Sequence, residues 1–134
     1  MKHLLTLKIT SLLSILLFTL HWSDEIARGI ERGTIDSAGG FAILFVWLYA
    51  TLVVSDRRWG LALVALGAIL ASGVPLLHMT GRGLIGGRIA PDSSGSLFWV
   101  WTNVALGACG MMSLALALHV WVGLSGRQAT RSGR

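Results

Sequence analysis

Residues 4–22 read LLTLKITSLLSILLFTLHW, an apolar run interrupted only by Lys8 and a few hydroxyl side chains. At 1.5 Å per residue such a run crosses the ~30 Å hydrocarbon core of a bilayer. Three more runs follow, at about Ser37–Ser55, Trp59 to about Met79, and about Leu97–Leu124. The chain is 54% hydrophobic and 13% charged, where a soluble domain carries about 25% charge. None of the runs alternates polar and apolar residues, and in lipid the backbone must satisfy its own hydrogen bonds, so each run is expected to be helix. The expected fold is an all-α membrane protein, four antiparallel transmembrane helices in a single bundle. Its 134 residues leave room for one domain, 1–134. Its helices would cover about 4–32, 37–55, 59–79 and 97–124, followed by a solvated basic tail over 125–134.

Lys2 ahead of an apolar core resembles the start of a signal peptide. No small-x-small cleavage site follows, however, and the first run reads as a retained helix. Lys and Arg then set the orientation. Lys2, Lys8, Arg57, Arg58, Arg127, Arg131 and Arg134 fall on one side, and Arg28, Arg32, Arg82 and Arg88 on the other. Seven against four places both termini in the cytoplasm and loops 23–36 and 80–96 outside. Trp22 and Trp99 would anchor the outer interface, and Trp59 and Trp121 the inner one. Asp56-Arg57-Arg58 alone would join the second and third helices as a hairpin. The net charge of +5 describes loops around a bilayer, so lipid is the expected partner and nucleic acid is not. Lone Cys109 excludes an internal disulfide.

Small residues mark the faces on which membrane helices approach one another. Gly60, Val64, Gly67, Ala71 and Pro75 form such a stripe on the third helix, ending on His78. Asn103, Gly107, Gly110, Ser113 and Ala117 form another on the fourth. Both read as packing seams, and Pro75 withdraws one donor from the helix a turn before His78.

HWSDE, residues 21–25, is where chemistry gathers. At about 100° per residue, His21, Asp24, Glu25 and Arg28 fall within one sector of about 100°. Thr10, Ser14 and Arg32 share that sector, which suggests a helix continuing past the membrane to Arg32. The third helix runs back the other way, so His78 and Arg82 reach the same level as His21. The expected result is an outward-facing pocket lined by His21, Asp24, Glu25, Arg28, His78 and Arg82, beside Trp99, Trp101 and Asn103.

Four uses of that pocket are open on the sequence. It could be an interfacial salt-bridge network of Asp24, Glu25 and the arginines. It could bind a zinc-like ion through His21, Glu25 and His78. It could hold haem between His21 and His78, or grip an organic ligand such as a quinone with Trp99 and Trp101. The expected function is a small membrane protein that binds a ligand or ion there, or docks a partner subunit or a second copy of itself. The alternative is a membrane enzyme with His21 or His78 as acid/base and Glu25 orienting it or binding a metal.

Other motifs carry less. Gly81-Arg-Gly83-Leu-Ile-Gly86 lacks the preceding strand that a dinucleotide fingerprint needs. The size resembles the small multidrug-resistance transporters, yet the deep positions of the first helix are Lys8, Thr10, Ser11 and Ser14, with no glutamate among them.

Overall fold

The computed structural model describes residues 2–35, 38–79 and 94–132, with side chains through Leu124, Met79 excepted. These residues form α1 (Lys2–Ala27), α2 (Ala38–Leu52), α3 (Arg58–Met79) and α4 (Ser96–Ser132), and no strand occurs among them. Three helices, α1, α3 and α4, are long and apolar enough to cross a membrane. The 15 residues of α2 rise about 22 Å, short of a ~30 Å core.

Each helix departs from its expected end for a local reason. α1 stops at Ala27 instead of reaching Arg32 because Gly29 turns left-handed, with φ +71°. The Ile30 amide then donates to the Glu25 carbonyl at 2.9 Å, and the Gly29 amide to the Ile26 carbonyl at 3.0 Å. That pair of bonds is a Schellman cap, which satisfies carbonyls that the ended helix leaves open. No atom outside its neighbours lies within 4 Å of a Cβ built on Gly29. Gly29→Ala is therefore expected to cost only the backbone term, about 1–2 kcal/mol, in thermal unfolding, with Gly29→Asn costing less.

α2 ends at Leu52, so the connection to α3 covers 53–57 and is longer than the three residues expected. Lys8 Nζ donates to the Leu52 carbonyl at 3.1 Å, placing a cation on the negative end of α2. In the first turn of α3, Gly60 lies against the Val54 carbonyl of that connection, where a side chain would collide with backbone. α4 continues through the region expected to be a solvated tail, as helix to Ser132.

Contacts between consecutive helices run in opposing numerical order. Trp22 meets Gly40 and Phe41, while Ser11 meets Trp47 and Thr51. Gly107 sits 2.6 Å from Pro75 once a Cβ is built, and Gly110 2.8 Å from Ser72. Between α1 and α4, His3 pairs with His119 at one end and His21 with Trp99 at the other. Gly60, Val64, Gly67 and Ala71 of α3 are buried, as are Asn103, Gly107, Gly110, Ser113 and Ala117 of α4. Pro75 packs its ring on the Gly107 backbone, and α3 stays one helix through it.

The interior is partly polar. Ser11 Oγ lies 2.8 Å from Thr51 Oγ1, and Trp47 Nε1 donates to Ser11 Oγ at 2.9 Å, all buried. Hydrogen bonds of this kind between helices in lipid contribute about 0.6 kcal/mol each on average. The outside is the reverse, with Leu5, Ile9, Leu13, Leu16, Leu76 and Leu77 all exposed.

Candidate metal centre

α1 carries His21 and Glu25 one turn apart on its inward face, with side chains 3% and 5% exposed. The i, i+4 spacing stacks them, and their buried neighbours Thr10 and Ser14 continue the same face. α3 brings His78 to them from its last turn. His78 Nδ1 lies 2.8 Å from Glu25 Oε1, and His21 Nε2 lies 3.7 Å from the same oxygen. The 2.8 Å approach is close without having hydrogen-bond angles at His78 Nδ1. One ligand atom from each of the three residues can be chosen so that all lie within 4.8 Å of one another. Around one tetrahedral ion with bonds of about 2.0–2.1 Å, such atoms stand about 3.3 Å apart.

Trp99 closes the cluster from α4. It is fully buried, with ring centroids 5.6 Å from His21 and 6.1 Å from His78. The interface anchor expected at this position is thus a core residue. The two imidazoles stand edge to face at 5.1 Å, with the Glu25 carboxylate against them. A haem bound by both histidines needs its flat macrocycle between the rings. Rings 5.1 Å apart leave no such gap, which disfavours haem.

The remaining expected residues divide. Asp24 and Arg28 pair with each other, Nε to Oδ2 at 2.8 Å, and Arg28 also donates to the Ser94 carbonyl at 2.9 Å. Asp24 and Arg28 thus form one pair of the salt-bridge reading, and Glu25 lies against the histidines, while Arg82 and Arg88, its other expected partners, lie outside the described residues. Asn103 is buried one turn below Trp99 and donates to its carbonyl at 3.2 Å. Trp101 is 63% exposed and turned away from the histidines. Arg82 and the segment 80–93 lie outside the described residues.

A groove missed in the sequence has His78 on its wall. It measures about 310 Å³ and is bounded by Phe18 of α1, Ile43 and Trp47 of α2, and Leu70, Val74 and His78 of α3. Its signal in the sequence is slight, because an apolar residue beside a groove looks like any lipid-facing one.

Comparison with known proteins finds no counterpart: no family model, curated protein or solved structure matches this chain.

Proposed function

We propose that this chain is a multi-pass membrane protein, an antiparallel four-helix bundle, whose His21–Glu25–His78 cluster binds a divalent transition-metal ion. The observation that carries this reading is the convergence of three ligand atoms from two helices within 4.8 Å. Two imidazoles and a carboxylate suit Zn²⁺ or Fe²⁺ and leave coordination positions open for water or a further ligand.

The distribution of Lys and Arg supports cytoplasmic termini and an outward-facing site. The aliphatic exterior supports lipid as the principal partner, with room for a second copy or a partner subunit.

A histidine–glutamate ion pair is the competing reading, supported by the 2.8 Å approach of His78 to Glu25. Metal content separates the two. Protein stripped with chelator, reloaded with Zn²⁺ and desalted is expected to retain about one ion per chain by plasma mass spectrometry. A chain that retains none holds only the ion pair, and the metal reading falls.

A further inference from the structure

We propose that His3 and His119 form a second cation site, a two-imidazole clamp between α1 and α4 that takes a late first-row dication, Cu²⁺ above all. It stands apart from the metal reading above and does not rest on it.

Position comes first. His3 lies in the first turn of α1 and His119 on the facing stretch of α4, with ring centroids 4.7 Å apart. Packing fixes the helices behind them. Leu7 and Ala117 are buried in one core cluster, and Leu4, Leu116 and Val120 pack against it. Both histidines are exposed, so an ion reaches them without entering the bundle. His21 is about 27 Å away along α1 at 1.5 Å per residue, too far for the two sites to share an ion.

Geometry comes second. With a metal–nitrogen bond of about 2.0–2.1 Å, an imidazole ring centre stands about 3.2 Å from the ion. Two such rings are then about 4.5 Å apart at a right angle and about 5.2 Å apart at a tetrahedral one. The observed 4.7 Å falls between the two. In a flat stack the in-plane lone pairs run parallel and never meet, whereas the 60° tilt of these rings lets them converge.

Donor chemistry comes third. Among the described residues, the group of three or more His, Cys, Asp or Glu side chains close enough to hold an ion is His21, Glu25 and His78. The clamp therefore offers two nitrogens and no carboxylate, and water fills the other positions. Nitrogen donors of this kind bind Cu²⁺ above Ni²⁺ and Zn²⁺. An exposed clamp with open positions suits an ion that exchanges.

The test uses full-length protein in phosphatidylcholine nanodiscs, titrated with Cu²⁺ against glycine as competitor and read by electron paramagnetic resonance. Unsubstituted protein, His3→Ala, His119→Ala and the double variant all keep the His21 cluster, so differences among them report the clamp alone. Both positions are exposed, and neither change burdens the core. Each single substitution is expected to raise the Cu²⁺ midpoint of the clamp at least ~10-fold, about 1.4 kcal/mol. The difference spectrum is expected to carry coupling to the nitrogens of both imidazoles. The double variant is expected to take up no less Cu²⁺ than either single one, because one ion needs both rings.

Equal Cu²⁺ uptake in every variant overturns the clamp. A loss confined to one histidine overturns it too, assigning the ion to that helix alone. A double variant that loses twice what each single one loses means two independent ions, and the clamp falls. Failure of the His21 cluster to hold an ion moves none of these differences, so the two readings stand or fall separately.

Discussion

Glu25→Gln is expected to weaken metal binding by more than about 100-fold. Changes to residues that merely orient ligands cost about 10–100-fold in metal affinity, and Glu25 would be a ligand itself. It also supplies the cluster's only formal negative charge when the histidines are neutral. Glutamine keeps the shape and removes that charge. Thermal unfolding with and without Zn²⁺ reads the loss. At 100 times its dissociation constant, a bound ion stabilises the native state by about 2.7 kcal/mol. That gain should appear in the unsubstituted protein and vanish in Glu25→Gln. An equal gain in both would sink the role of Glu25 as a ligand.

Trp99→Ala is expected to cost about 3 kcal/mol in reversible unfolding, and to loosen the metal site as well. Truncating a large buried aromatic costs about 3–5 kcal/mol in soluble cores. The lower end applies where helices are held by contact more than by exclusion of water. Trp99 is fully buried against both imidazoles, and removing its indole leaves each ring free to turn. Trp99→Phe supplies the contrast. The Trp99 Nε1 donor is buried with no hydrogen-bond partner among the described residues, so phenylalanine keeps most of the wall and removes an unmet polar group. Its expected cost is within about 1.5 kcal/mol. An alanine variant as stable as the phenylalanine one would mean that Trp99 supports nothing.

What the sequence disclosed follows from which signals are periodic. Four apolar runs foretold four helices, and the stripes ending on His78 and beginning at Asn103 foretold which faces are buried. Extended back by one turn, the second stripe reaches Trp99, whereas Trp101 lies about 200° around the helix from Trp99. Grouping the two tryptophans by proximity in sequence is what placed Trp101 beside the histidines. His21, Glu25 and His78 could be brought to one level by counting residues, since helix rise is regular. Helix ends were less legible. A helix reaching Arg32 has to pass through Gly29, and Gly at such a position is a natural stop. The short α2 was hidden because Val53 and Val54 are as apolar in a turn as in a helix. The clasp of Ser11, Thr51 and Trp47 depends on the distance between two helix axes, which no residue spacing encodes.

The shortness of α2 has a consequence for the surrounding lipid. With about 22 Å of rise beside neighbours long enough to span, α2 would present a bilayer with a hydrophobic mismatch on its flank. A bilayer meets a short apolar span chiefly by thinning around it, at a cost of fractions of a kcal/mol per Å. The groove toward His78 has α2 as one wall. In a bilayer, thinning on that flank would draw the headgroup layer down toward the groove. A deformation of the solvent, set by where one helix stops, would thus fall on the flank that carries His78.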